Sequence, residues 1–281
     1  MADPVVYLNG AFVPYEEAKI GVEDRAVQFA DGVYEVVRYY GGVPFRMKEH
    51  MERLVKSAAG IELPIPPVSE IQAAMDELVR RLGPGDAAVY LQISRGTTPR
   101  VQGIPQGLKP TVIAIARPTK SERPVPELKA VTQSDDRWAR CNLKTTMLLP
   151  AMLARQRAAR LGAGDAVFLR DGFVTEATAS NVFAVIKGEV VTPPLSNYLL
   201  AGVTRGALLD LYEQNGIAAR EALVSEEELR TADEIFLTST NGELRPVVEL
   251  DGRKVGAGTT GPVFKRTLEL FDAAVRRPVL A

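Results

Sequence analysis

The sequence predicts an α+β fold, on three observations. Short apolar, β-rich runs meet at Asn9-Gly10, Gly41-Gly42, Asp171-Gly172 and Asp251-Gly252, dipeptides that fold a chain back on itself as a hairpin. Helical segments are grouped apart from those hairpins, and several begin or end on capping residues. No alternating strand–helix series of the kind that builds a parallel sheet runs through the chain.

Val5–Leu8 and Ala11–Val13 form the first hairpin, across Asn9-Gly10. Gly32–Tyr40 reads as a strand, Gly41-Gly42 as a turn, and Val43–Arg46 as a short return strand. An amphipathic helix from Lys48 to Ala59 follows. Ser69-Glu70-Ile71-Gln72 has capping-box form and opens a second helix, which Gly83-Pro84-Gly85 ends after Leu82. Ala87–Ser94 and Thr111–Ala116 are apolar strands flanking a long loop, Arg95–Pro110, with three glycines and three prolines. A loop of that length inside a compact domain is usually a lid or a binding loop. The next proline-rich segment, residues 117–126, reads as an interdomain linker. A smaller N-terminal α/β domain over 1–119 and a larger C-terminal domain over 120–281 are therefore expected, the second carrying Lys144.

The second half opens with a strand at Lys129–Gln133, then a polar stretch reaching Lys144, then an apolar helix at Met147–Leu161 stopped by Gly162-Ala163-Gly164. Strands are expected at Ala166–Leu169, Asn181–Ile186, Glu189–Thr192, Glu234–Thr238 and Val247–Leu250. Helices are expected at Thr204–Asn215, closed by Gly216, in a short turn opened by Ser225, and at Pro262–Val275.

Composition narrows the function. With 281 residues, 46% hydrophobic and 25% charged, the chain has the make-up of a globular enzyme able to bury a sizeable core. A formal net charge of −1 offers nothing that would draw it to nucleic acid or an anionic membrane. The one cysteine, Cys141, excludes an intramolecular disulfide framework and fits a reducing compartment. The one histidine, His50, excludes a two-histidine metal site within the chain, so no metal is expected. His50 lies in Lys48-Glu49-His50-Met51-Glu52-Arg53-Leu54, where a structural or phosphate-adjacent role is expected rather than acid–base catalysis. Met1-Ala2-Asp3-Pro4 shows no basic region followed by a long apolar run, and no stretch reaches the length of a membrane span, so a cytoplasmic protein is expected.

The chemistry centres on Lys144. It stands where the polar segment Asp135-Asp136-Arg137-Trp138-Ala139-Arg140-Cys141-Asn142-Leu143 gives way to the apolar helix. A lysine at a helix entrance faces the positive end of the helix dipole, which lowers an ammonium pKa and suits a Schiff-base lysine. Downstream, Glu176 follows the Asp171-Gly172 turn and precedes the strand at Asn181. A carboxylate there could keep a pyridinium nitrogen protonated.

The sequence resembles the fold-type-IV pyridoxal-phosphate aminotransferases, the family of D-amino-acid and branched-chain aminotransferases. The resemblance rests on Asp24-Arg25…Gln28-Phe29-Ala30-Asp31-Gly32-Val33-Tyr34-Glu35-Val36-Val37, His50-Met51-Glu52-Arg53-Leu54 and Arg95-Gly96-Thr97-Thr98-Pro99-Arg100. It continues through Arg137-Trp138…Cys141…Lys144, Thr175-Glu176…Ser180-Asn181-Val182-Phe183, Gly202-Val203-Thr204-Arg205 and Thr238-Ser239-Thr240, in family order over nearly the whole chain. It implies a two-domain architecture with pyridoxal 5′-phosphate as cofactor. Lys144 is then the Schiff-base lysine, Glu176 the partner of the pyridine nitrogen, and Leu200 the packing residue on one ring face. Arg53, Val203, Thr204, Ser239 and Thr240 hold the phosphate, and a helix start rich in free N–H groups suits that task on its own. Glu35 matches a position near the cofactor, and a structural role is equally open.

Gly32-Val33-Tyr34-Glu35 looks like the D-amino-acid branch. In that branch two tyrosines and an Arg-x-His pair hold the substrate carboxylate. Tyr34, Tyr90 and Arg100 match, while Gln102 stands where the histidine would be and can donate a hydrogen bond but carry no charge. The resemblance also implies a homodimer, with the Arg100 loop reaching toward the neighbouring subunit. The expected activity is ping-pong amino-group exchange between a D-amino acid such as D-alanine and a 2-oxo acid such as 2-oxoglutarate. An L-branched-chain or (R)-amine transaminase, an aminodeoxychorismate lyase, and a cofactor-free binding protein on the same scaffold stay open at this point.

Overall fold

The computed structural model describes residues 5–119 and 125–276, so the expected linker lies in part outside the described residues. Packing divides the chain into two compact units: Met1–Arg123 with Leu143–Met147, and Pro124–Asn142 with Leu148–Ala281. The Lys144 segment thus belongs with the first unit, where the sequence suggests the second.

The first unit contains β1 (Val5–Leu8), β2 (Ala11–Pro14), α1 (Arg25–Phe29), β3 (Gly32–Tyr40), β4 (Val43–Pro44), α2 (Met47–Gly60), α3 (Val68–Leu82), β5 (Ala87–Ser94) and β6 (Thr111–Pro118). The β1–β2 turn is made by Asn9 at φ 50° and Gly10 at φ 93°, the left-handed pair that a two-residue hairpin demands. The strands form an antiparallel sheet in the order β2-β1-β6-β5-β3-β4. Strict alternation along β5 buries Ala87, Val89, Leu91 and Ile93 in a core shared with Met51, Leu54, Met75 and Leu78 of the helices. Tyr90 and Gln92 consequently lie on the opposite face, where the register sets Gln92 beside Tyr34 and Tyr90 beside Val36. Ser69 caps nothing: α3 begins at Val68 with Pro67 as its N-cap, because Pro67 fixes a φ suited to the helix start and leaves Ser69 inside the first turn.

The second unit contains β7 (Leu128–Ser134), α4 (Leu149–Arg160), β8 (Asp165–Arg170), β9 (Phe173–Ala177), β10 (Asn181–Ile186), β11 (Glu189–Thr192), α5 (Val203–Gln214), β12 (Ala219–Glu221), α6 (Glu226–Arg230), β13 (Glu234–Ser239), β14 (Glu243–Leu250), β15 (Arg253–Lys254) and α7 (Pro262–Arg276). Its sheet runs β12-β11-β10-β13-β14-β7-β8-β9, with β15 on β14. Two helix crossovers, α4 between the parallel β7 and β8 and α5 on the way from β11 to the parallel β12, join a sheet that is otherwise largely hairpins. On one side α4 seats Ala151, Ala154 and Ala158 against Phe168, small residues that let helix and sheet approach closely. Around α5 and α7, Phe183, Phe236, Tyr212 and Phe264 form a buried aromatic cluster with centroid separations of 5.2 to 6.3 Å, Phe183 and Phe236 stacked and the other pairs edge to face. Glu234 of β13 accepts from the Val263 and Phe264 amides at 2.8 and 2.7 Å, so a strand carboxylate caps α7. Ser225 forms a full capping box with Glu228 at α6.

Candidate active site

In the first unit, Lys144 lies on a segment that runs antiparallel to the start of β3. Its carbonyl accepts from the Tyr34 amide at 3.0 Å, and its own amide donates to Ser57 Oγ at 2.9 Å. Thr145 bridges Val33, and Thr146 donates from its amide to Gly32 O at 3.0 Å and from its hydroxyl to Ala30 O at 2.7 Å. Leu143 fills the space over Gly60, where a Cβ would come within 2.6 Å of it. The helix α4 begins only at Leu149, so Lys144 does not stand at the helix entrance that the sequence suggests; its segment is claimed by hydrogen bonds to β3 before it can turn helical. Lys144 Nζ stands 4.3 Å from the Tyr34 ring centroid, a cation–π contact.

Tyr34 and Tyr90 are paired rings 5.8 Å apart, and the Tyr90 hydroxyl donates to Gln92 Oε1 at 2.6 Å. Burial, with Tyr34 adding to it, pushes the Tyr90 phenol up to about 12. Behind them, on the helix side of the sheet, Glu35 is completely buried. Arg53 grips it with Nε at 2.7 Å and Nη2 at 2.8 Å, and His50 Nδ1 lies 2.8 Å from the same carboxylate. Burial opposes ionisation of Glu35, but the Arg53 charge and hydrogen bonds outweigh it and hold the carboxyl at about 2. Burial drives His50 below its ordinary value against the pull of Glu35, and the Arg53 and Lys144 charges push the same way as burial. A neutral His50 then donates Nδ1–H to Glu35, the structural role expected for it. Arg100 is exposed, with its guanidinium 4.5 Å from the Phe29 centroid and Nη1 3.5 Å from Gln28 O; Gln102 is exposed on the same loop.

In the second unit, Glu176 stands next to last in β9 with both oxygens engaged. Oε1 takes Arg137 Nη1 at 2.5 Å, and Oε2 accepts from the Leu200 amide at 2.9 Å. Arg137 is itself clamped by Asp135, at 2.9 Å from Nε and 3.0 Å from Nη2, and lies over the Phe168 ring at 4.3 Å. Asn181 is the junction of this half. Its Nδ2 reaches Leu200 O at 2.8 Å and Glu176 Oε2 at 3.5 Å, while its backbone pairs with Thr238 of β13. Its Oδ1 also lies against Gly202, where a Cβ would come within 1.9 Å. Gly202 is the N-cap of α5, so the amides of Val203, Thr204 and Arg205 open that helix without intrahelical acceptors. The Thr238 hydroxyl is buried and has no hydrogen-bond partner among the described residues. Ser239 Oγ accepts from the Gly242 amide at 3.0 Å, and Thr240 follows in the turn. Helix start and strand end together make a set of short neutral donors suited to an anion.

The amino-transferase class IV family profile matches residues 32–250 of the chain. The chain belongs to the class IV aminotransferases. Among curated relatives, a D-alanine aminotransferase from Bacillus licheniformis is 40% identical over 266 residues, covering 92% of this chain and 93% of that one. Among solved structures, the branched-chain amino acid aminotransferase from Escherichia coli is 30% identical with a TM-score of 0.91, covering 99% of this chain and 97% of that one. A branched-chain aminotransferase from the thermophilic archaeon Thermoproteus uzoniensis, solved with norvaline, is also 30% identical, with a TM-score of 0.88, covering 98% and 95%. The expected α+β, fold-type-IV architecture is therefore that of a class IV aminotransferase. No helix among the described residues is long and apolar enough to cross a membrane.

Within this class IV aminotransferase, the structure groups Lys144 with Tyr34 and Tyr90, and groups Glu176 with Leu200, Val203 and Thr204 through Asn181. Sequence reasoning assigns no role to Arg137, Asn181 or Gln92. Arg137 and Asn181 stand inside motifs that carry the resemblance. Gln92 has a local signal, because it sits two positions from Tyr90 on an alternating strand and must share its face.

Proposed function

We propose that this aminotransferase exchanges an amino group between a D-amino acid, such as D-alanine, and a 2-oxo acid, such as 2-oxoglutarate, by ping-pong half-reactions with pyridoxal 5′-phosphate as cofactor. The observation that carries the reading is the 40% identity to a D-alanine aminotransferase across 92% of the chain. The residues present fit the cofactor. A phosphate ester needs several short donors, and the buried Thr238 hydroxyl without a partner among the described residues, together with the open α5 amides, supports that demand. In this reading Val203, Thr204, Ser239, Thr240 and Arg53 hold the phosphate, Leu200 packs on the ring, and Glu176 meets its nitrogen. When bound, the cofactor supplies an electron sink for the pair left at the substrate Cα.

The chain's own residues do the rest. Lys144 would hold the cofactor covalently, and its amine would carry the proton to and from the substrate Cα. The Tyr34 ring, 4.3 Å from Nζ, helps keep that amine aimed. Arg137 and the Leu200 amide fix both oxygens of Glu176, so its orientation does not depend on solvent. Arg100 takes the substrate carboxylate through its planar fork, and Gln102 adds a neutral donor where a second cation is absent. Tyr90 has its proton committed to Gln92, so it meets substrate as an acceptor. The working form in this reading is a cytoplasmic homodimer.

The test is the visible spectrum of the purified protein, titrated separately with D-alanine, L-leucine and (R)-1-phenylethylamine in the absence of an acceptor. Loss of the yellow band with D-alanine alone is expected. Gln102, and the branched-chain relatives among solved structures, favour the L-branched-chain transaminase as the second reading. Bleaching by L-leucine instead would establish that one. A protein that stays colourless with added cofactor would overturn both.

A further inference from the structure

Arg25 opens α1 and is buried, yet its guanidinium makes contacts in three directions. Nε donates to Asp31 Oδ2 at 2.7 Å. Nη1 donates to two carbonyls of the long loop, Val101 O at 2.9 Å and Gly103 O at 3.2 Å. Its face lies 4.7 Å from the Phe29 centroid, the same ring on which Arg100 rests at 4.5 Å. The two carbonyls flank Gln102, so one nitrogen pinches the backbone at the position where this sequence departs from the D-amino-acid pattern.

The charge balance explains why the loop is held this way. Asp31 Oδ2 is shared by Arg25 and by Arg95, whose Nε lies 2.8 Å away, so two cations meet one carboxylate with little solvent. The surplus positive charge must be met by backbone oxygens. Arg95 finds Glu62 O and Ile61 O at 2.8 and 2.7 Å, and Arg25 finds the loop. Hydrogen bonds from an ionised donor are roughly twice as strong as neutral ones. The loop's base is closed separately: Asp24 accepts from Ser94 and Thr111 at 2.7 and 2.6 Å, and Gly96 packs where a Cβ would come within 2.0 Å of Lys109 O. Arg25 thus supplies a charged contact that reaches past the base to the backbone of the stretch carrying Arg100 and Gln102.

We infer that Arg25 is the positioning residue of the substrate loop, fixing Arg100 and Gln102 through the carbonyls around Gln102 and through the shared Phe29 ring. The inference rests on the assignment of Arg100 to the substrate carboxylate. A lysine cannot replace it, since one ammonium on a flexible stem cannot serve Asp31, two carbonyls and a ring together.

The test uses Arg25→Ala and Arg25→Lys in the holoenzyme, each also in an Arg100→Ala background. Trypsin cleavage after Arg100 reports loop anchoring without any substrate, and Arg25→Ala should accelerate it about tenfold or more as local opening becomes easier. The KM for D-alanine should rise about tenfold while kcat changes far less, because misplacement weakens binding of the carboxylate. That rise should disappear in the Arg100→Ala background. Arg25→Lys keeps a cation for Asp31, so it should restore the thermal midpoint but not the loop's resistance to trypsin; it keeps the test valid should the alanine variant fold poorly. Unchanged cleavage in both variants, or a KM effect that persists in full without Arg100, would overturn the inference. If Arg100→Ala alone leaves the D-alanine KM unchanged, the carboxylate assignment fails instead, and the cleavage rate still decides whether Arg25 anchors the loop.

Discussion

Replacing Arg137 by glutamine removes the cation that two carboxylates share. The Asp135 side chain is 0% exposed, Glu176 9% and Arg137 itself 10%, so neither acid can recover its lost partner from water. Removing one member of a buried ion pair typically costs about 3–5 kcal/mol. At about 2–4 °C per kcal/mol for a unit of this size, the thermal midpoint at neutral pH should fall by roughly 6–20 °C. The effect has a pH signature. Burial opposes ionisation of Asp135, yet the Arg137 hydrogen bond and charge, with the Thr175 hydroxyl, hold its carboxyl below the ordinary 3.8. A group whose folded pKa is the lower one stabilises the fold fully above its unfolded pKa and loses that contribution as pH falls through the folded value. The gap between wild type and variant should therefore be widest at neutrality and narrow in acid. Melts followed by circular dichroism across that range measure it. A shift below about 2 °C at neutral pH, less than one kcal/mol would give, or a gap that widens on acidification, would refute the reasoning.

Lys144→Ala should abolish turnover and the yellow band while shifting the melting midpoint by only a few degrees, since the Tyr34 contact it loses is worth about 0.5–2 kcal/mol; retained turnover would remove Lys144 from the chemistry. Gly202→Ala should drive Asn181 off Leu200, cost about 1–3 kcal/mol as overpacking does, and weaken retention of pyridoxal phosphate on dialysis; wild-type retention would show that the Asn181 junction is dispensable. Glu35→Gln leaves Arg53 and His50 around a neutral amide and should cost about 3–5 kcal/mol. Because burial is outweighed and Glu35 is lowered from the ordinary 4.5 to about 2, that loss should stay constant from neutrality down to about 4.5, shrink progressively below it and be nearly gone near 2, which denaturant titrations at several pH values would read.

The elements that local chemistry dictates are legible in the sequence. Asn9-Gly10 needs two left-handed residues and has them, Ser225 is followed by Glu228 and caps its helix, and the apolar alternation of Ala87–Ser94 becomes β5 with its buried face as expected. Errors arise where a distant partner outcompetes a local preference. Lys144 reads as a helix entrance because apolar residues follow it, but Gly32, Tyr34 and Ser57 bond its segment, and none of them is near it in sequence. Ser69 looks like a cap until Pro67 is weighed. Arg25 and Arg137 are silent for a similar reason. Each is one arginine among many, and only folding reveals which carboxylates and carbonyls surround it.

The placement of Leu143–Met147 has a consequence for how the protein is made. The first unit's β3 has an N-terminal end flanked by a segment that is translated only after β7 of the second unit. A nascent chain halted near residue 120 would expose the Gly32–Tyr34 backbone that Lys144 and Thr146 later bond, along with the hollow over Gly60 that Leu143 fills. The amino-terminal unit therefore cannot finish folding before synthesis of the second has begun. A gene split at the apparent boundary should yield a fragment that is insoluble alone, while a split after residue 147 should leave the first unit whole. The residue on which the chemistry depends is thus also among the last pieces the first unit receives.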